Sequence, residues 1–153
     1  MDVAATLPRI DEHEISVDAR TPLAWAAAVA VFRRLSTRRA WRAYAQAVRC
    51  QPRRASGAAD TVGATLPGFL VVRSEAPTEW ALEGEHLFSR YALTFRIVPV
   101  DAEHCRVIAC SSAEFPGPHG MAYRALVIGS RGHAIGLRRL LRSIKSEAER
   151  RRD

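Results

Sequence analysis

The sequence predicts an α+β fold: one strand, two short helices, about five antiparallel strands and then a long C-terminal helix. Three observations predict it. Between residues 61 and 115, apolar and polar residues alternate in short runs separated by Pro and Gly, the period of strands with one buried and one solvated face. The connections between these runs are too short to hold crossover helices, so neighbouring strands pair antiparallel as a meander. On either side of the block, apolar residues recur at spacings of three and four, the signature of amphipathic helices.

Taken in order, residues 1–10 read as a loose arm. His13 to Asp18 alternates, with His13, Ile15 and Val17 on one face and Glu14, Ser16 and Asp18 on the other. Thr21-Pro22 supplies a cap and a proline at the first helical position. Trp25, Ala28, Val29, Phe32 and Leu35 then share a helical face. Ser36 or Thr37 can cap a second helix, in which Trp41, Tyr44, Ala45 and Val48 form a face flanked by Arg38, Arg42 and Arg49. Gln51-Pro52 ends it, because the residue before proline is pushed out of the helical region. Residues 53–60 are small and polar, hence a loop.

Strands are expected at 61–66, 69–75, 79–86, 89–98 and 105–115. Trp80, Leu82, Gly84 and His86 share one face, as do Tyr91, Leu93, Phe95 and Ile97, and in the last strand Val107, Ala109, Ser111 and Ala113. After Pro116-Gly117-Pro118, one unbroken helix is expected from about His119 to Arg150, roughly 45 Å long. Its stripe is Tyr123, Leu126, Ser130, His133, Leu137, Leu140, Leu141, Ile144 and Ala148, with Arg124, Arg131, Arg138, Arg139 and Arg142 on the far side. Gly129, Gly132 and Gly136 lie along one edge, where they allow close packing or a kink. All 153 residues are assigned to one domain.

This order resembles the START/SRPBCC superfamily, which includes polyketide cyclase-like and pollen-allergen-like proteins, and in particular a bacterial branch of it. The most specific runs are LEGEHLFSRYALTFRIVPV (82–100), AEFPGPHG (113–120) and AYRALVIGSRGHAIGLRRLLRSIKSEAE (122–149). The resemblance spans His13 to Arg150 and implies the helix-grip fold: a curved antiparallel sheet of six or seven strands wrapped around the C-terminal helix, with an apolar cavity between them. It implies a hydrophobic small-molecule ligand, such as a lipid, polyketide, steroid or aromatic metabolite, and calls for no cofactor. The superfamily has no universal catalytic motif, and the GxGGxG loop of the plant allergen branch is absent, so no catalytic residue carries over.

The charge has to be placed on this pattern. The chain carries 23 basic and 16 acidic residues, a net of +7, and Lys145 is its only lysine. Residues 33–54 hold eight arginines and no acid, and residues 119–153 hold nine basic residues and three acids. Such segregation invites a nucleic-acid or anionic-surface reading. The amphipathic patterns put these arginines on the solvent faces of helices, which argues against nucleic acid as the partner. The GXXG spacing at Gly129–Gly132 also fits the backbone-clamping loop of KH domains. Two features oppose it: the apolar stripe continues in phase through the motif, and no strand follows.

Three cysteines make no disulfide framework and point to a reducing compartment. No secretory leader or spanning segment of about 20 apolar residues is visible. Together these predict a cytoplasmic location. The five histidines are scattered, and Cys105 and Cys110 fall on opposite strand faces, so no metal site is expected.

The alternation turns several polar groups inward: His13, His86, Tyr91 and Ser111 from strands and His133 from the helix. An apolar cavity with a few placed polar groups is the common form of a small-ligand site. His86, Tyr91, Ser111 and His133 are therefore the polar candidates for ligand contact, and Trp80, Phe95, Leu137 and Leu141 the apolar ones. The preferred reading is binding of a hydrophobic small molecule. A cyclase or dehydratase using the inward His and Tyr residues is the enzymatic alternative, and an exposed sheet edge offers a surface for a homodimer.

Overall fold

The computed structural model describes residues 6–153. Its elements run β1 (Arg9–Val17), α1 (Thr21–Thr37), α2 (Arg39–Ala47), β2 (Thr65–Leu66), β3 (Phe69–Glu75), β4 (Glu79–His86), β5 (Ser89–Pro99), β6 (Cys105–Glu114), α3 (Gly117–Val127) and α4 (Gly132–Arg150). The six strands form one antiparallel sheet in the order β1-β6-β5-β4-β3-β2. From β2 to β6 the chain meanders. β1 then closes the far edge against β6, pairing His13 with Ala109 and Val17 with Cys105.

The expected inner face holds in β4, β5 and β6, whereas the strand expected at 61–66 shortens to Thr65–Leu66. Trp80 and Leu82 in β4, Phe95 and Ile97 in β5, and Val107 and Ala109 in β6 are buried on one face of the sheet. Arg90, Arg96 and Arg106 lie on the other. There they meet acids across the strands: Arg90–Glu114 at 3.3 Å, Arg96–Glu12 at 3.2 Å and Arg106–Glu14 at 3.4 Å. The inner face is covered by α1 and α4. Trp25, Ala28, Val31 and Phe32 of α1 and Leu140, Leu141, Ile144 and Ala148 of α4 join the strand residues in one core. This burial is the main stabilising term of the fold.

Two further expectations are corrected. The arm is shorter than residues 1–10: residues 1–5 lie outside the described residues, but Leu7 is buried, the Pro8 carbonyl accepts the Ala113 N–H at 2.9 Å, and Arg9 already belongs to β1. β6 is long enough to template those extra residues. The C-terminal helix is also not unbroken. It divides into α3 and α4 at residues 128–131, where Arg131 takes the left-handed conformation at φ 61°. Gly129 and Gly132 flank the break, each weakening a helix by about 1 kcal/mol relative to alanine. The Ser130 hydroxyl accepts the Gly132 N–H at 3.3 Å, offering the backbone a local alternative to the helical ladder. Apolar phase can survive such a break, so continuity of the stripe was not evidence of one helix. The GXXG segment does join two helices, but α4 then runs to Arg150 along the sheet with no strand after it.

Candidate functional site

The inner face is filled at one end and open at the other. Beneath α2, α3 and the start of α4 lies a cavity of about 710 Å³. Its wall comes from the sheet (Phe69, His86, Tyr91, Leu93, Ser111, Ala113), from α2 (Trp41, Tyr44) and from the two C-terminal helices (Tyr123, Val127, His133, Gly136, Leu137, Leu140). Several wall residues are also exposed: Arg38, Ala40 and Tyr44 on one side, Gly132 and Gly136 on the other. The mouth therefore lies between α2 and the α3–α4 joint.

Of the sequence-predicted site residues, His86, Tyr91, Ser111, His133 and Leu137 line this cavity. Trp80, Phe95 and Leu141 do not. They are 1%, 1% and 2% exposed and belong to the packed core, where Trp80 stacks on Phe95 with ring centres 5.7 Å apart and donates its indole N–H to the Ala59 carbonyl at 3.1 Å. His13 is half-buried on β1 and reaches Asp11 Oδ2 at 3.0 Å. Trp41, Tyr44, Phe115 and Tyr123 line the cavity as well. In sequence they read as ordinary helix stripe or turn, and only the fold turns them toward one another.

The polar groups form two clusters. At the β1 edge, the Ser111 hydroxyl donates to Asp11 Oδ1 at 2.5 Å, and His133 Nε2 lies 2.8 Å from Ser111 Oγ and 3.4 Å from the same carboxylate oxygen. Burial alone would raise the Asp11 pKa. The Ser111 hydrogen bond, then His133 and His13, outweigh it and hold the carboxyl below its ordinary value. The residue types are those of a nucleophilic triad, but the wiring is not. In a triad the imidazole stands between carboxylate and hydroxyl and uses a different nitrogen for each. Here the hydroxyl is directed at the carboxylate and one imidazole nitrogen faces both, so the imidazole does not stand between them and the relay of a triad is not assembled. The cluster braces the start of α4 against β1 and β6.

The second cluster is aromatic. The His86 ring packs against Tyr123 at 4.9 Å and Tyr91 at 5.4 Å, Tyr123 stacks on Phe88 at 5.2 Å, and the hydroxyls of Tyr44 and Tyr123 meet across the mouth. Tyr91 can lie flat here because its cross-strand partner is Gly84. A Cβ there would stand 2.0 Å from the Gly68 carbonyl and 2.7 Å from the phenol. The Tyr91 hydroxyl donates to that Gly68 carbonyl at 2.7 Å, and burial pushes its pKa far up, so it stays protonated and committed. Burial lowers the His86 pKa and keeps the ring neutral. Its Nδ1 accepts the Phe88 N–H at 3.1 Å, which leaves the proton on Nε2. Nε2 has no hydrogen-bond partner among the described residues, so an apolar wall contains one N–H donor to spare. Among those residues no group of three metal-ligating side chains occurs, and no helix is long and apolar enough to cross a membrane.

No family model matches the chain, and no curated protein matches it in sequence. Solved structures do match. Norcoclaurine synthase from Thalictrum flavum gives a TM-score of 0.56 at 13% identity, over 95% of this chain and 90% of that one. A protein from Arthrobacter aurescens gives 0.55 at 17% identity, over 91% and 85%. CalU16 from Micromonospora echinospora gives 0.52 at 13% identity, over 94% and 91%. Likeness at such identity is likeness of fold. With the curved antiparallel sheet, the α1–α2 pair after the first strand and the C-terminal helix along the inner face, the chain has a helix-grip fold like that of these structures.

Proposed function

We propose that the protein binds a hydrophobic, ring-containing small molecule in the cavity between the sheet and the C-terminal helices. The carrying observation is the cavity itself: about 710 Å³, within the range of small-molecule sites, walled mainly by aliphatic and aromatic side chains with the spare His86 donor among them. The crowd of rings at the mouth favours a flat ligand, since offset and edge-to-face contacts add about 0.5–1.5 kcal/mol each beyond burial. A carbonyl or hydroxyl oxygen on the ligand would satisfy His86 Nε2. Norcoclaurine synthase, which shares the fold, has been solved with dopamine and hydroxybenzaldehyde, both small aromatics. Native mass spectrometry of the purified protein, followed by solvent extraction, tests the reading. A bound species, or uptake of an added apolar fluorophore that Leu137→Trp blocks, is expected. An empty protein that takes up no such probe would overturn it.

A cyclase- or dehydratase-like activity is the second reading, and His86 is the observation that favours it. It is neutral, half-buried and has a free N–H against the cavity, the requirement for a group that polarises a carbonyl. Tyr91 drops out of acid–base duty because its hydroxyl is already spent on Gly68. The enzymatic reading requires that His86→Ala abolish turnover while ligand still binds.

A further inference from the structure

The charge of this protein is segregated by use. Acids are paired in two places: on the outer face of the sheet with Arg90, Arg96 and Arg106, and near the end of α4 with Arg34, Arg150 and Arg151, all three on Glu147. The arginines beside the cavity mouth have no such partners. Arg38 and Arg42 near α2, Arg124 on α3, and Arg131 and Arg139 on the flank of α4 that carries Gly132 and Gly136 are all exposed, and none has an acidic partner among the described residues.

Between these arginines stand apolar side chains that face water. Leu126 is 71% exposed and Met121 57%, both on α3, with Leu87 in the β4–β5 turn and Ile135 on α4 exposed as well. α3 is weakly anchored: it buries only Gly120, and its outward side is Met121, Ala122, Ala125 and Leu126. A helix that turns its apolar side to water needs a partner for that side. A partner that is apolar at one depth and anionic just above it meets both demands. Arginine suits the boundary, because its stem lies along apolar surface while the guanidinium grips phosphate.

We propose that the rim of the cavity mouth, with α3 at its centre, docks on an anionic lipid surface: α3 seats in the headgroup boundary and the unpaired arginines of α2 and α4 contact lipid phosphates. Docking depends on the surface rather than on the cavity, so the two readings fail separately. The test is co-sedimentation of the full chain with vesicles of phosphatidylcholine alone and of phosphatidylcholine mixed with phosphatidylglycerol. Binding to the mixed vesicles only is expected, weakening as salt rises. Each arginine removed from the rim should lower the partition coefficient about five-fold. Arg124→Gln/Arg131→Gln/Arg139→Gln together should therefore cost about a hundred-fold, and Leu126→Ser/Met121→Ser should weaken binding without changing its salt slope. In Leu126→Trp, vesicles should shift the indole emission to shorter wavelength. Circular dichroism and uptake of an apolar fluorophore by the cavity confirm that each variant is folded. No binding to the mixed vesicles, arginine variants that bind as well as the parent, or binding to duplex RNA or an acidic protein with none to vesicles would overturn the assignment.

Discussion

The two ends of the space beneath the sheet are built from the same elements and end differently. At one end Phe32 stands edge-on to Trp80 and Phe95 at 5.6 and 5.9 Å, and α4 adds Leu141, Ile144 and Ala148. α4 is tied down there by Arg34–Glu147 at 3.2 Å and by Lys145 donating to the Ser16 carbonyl at 2.9 Å. At the other end the same sheet and the same helix present Ser111, Ala113, Gly132 and Gly136, and about 710 Å³ stays open. Side-chain volume at a few positions, rather than the course of the backbone, decides where this fold is solid and where it holds a cavity.

The largest expected effect breaks the solid end. Trp80→Ala removes a fully buried indole and orphans the Ala59 carbonyl, and should lower unfolding free energy by about 3–5 kcal/mol. Tyr123→Ala, an aromatic truncation at the open end, should cost about 1 kcal/mol. Urea denaturation measures both, and equal losses would mean that the mouth is as tightly packed as the core. A finer comparison sits on one helix. Leu141 and Leu137 are a turn apart on α4, but only Leu137 borders the cavity. The cost of Leu→Ala grows with the void it creates, so Leu141→Ala should cost about 3 kcal/mol and Leu137→Ala about half as much. Leu137→Ala should in addition admit bulkier ligands, which Leu141→Ala should not.

The same contrast decides what could be read in advance. The solid end was legible because burial there follows simple periods: β3, β4, β5 and β6 fall within a residue of the expected spans, and α1 begins at Thr21-Pro22. The open end was legible only in part. Alternation turned His86, Tyr91 and Ser111 inward, and helical phase did so for His133 and Leu137. Whether an inward residue meets packing or empty space depends on what faces it from elements distant in sequence, and periodicity carries no such information. Trp80, Phe95 and Leu141 were therefore indistinguishable from wall residues. Trp41, Tyr44 and Tyr123 look like core stripe until α2 and α3 are seen to face each other. Asp11 carries no signal in sequence because its strand begins before the alternation is clean. The break after α3 was concealed because Gly129 and Ser130 leave the apolar phase intact while removing the reason to stay helical.

A smaller effect comes from one proton at the open end. The folded-state pKa of His86 is depressed by burial below its ordinary 6.5, so the unfolded chain binds more protons in the window between the two values. Stability should therefore fall as pH drops through about 6.5 and level off once the folded ring titrates. His86→Gln should flatten that part of the pH profile, read by thermal unfolding across mildly acidic buffers. An unchanged slope would assign the titration to another group. Asp11 acts lower: its depressed pKa contributes stability that persists above the ordinary carboxylate range and is lost as pH falls through the folded value.

The smallest expected effect has the opposite sign. Gly136 lies inside α4 at the mouth, and a Cβ there would meet nothing within 4 Å. Glycine in a helix interior costs about 0.5–1 kcal/mol in backbone entropy relative to alanine, and nothing at this position requires it for packing. Gly136→Ala should therefore raise stability by about that amount while leaving ligand uptake close to the parent. At Gly129 the same substitution would place a Cβ 2.4 Å from the Ala125 carbonyl, and there it should destabilise. If Gly136→Ala instead lowers affinity, the glycine is kept for the clearance it leaves a ligand entering between α2 and the start of α4, and the open end owes its opening to that missing methyl.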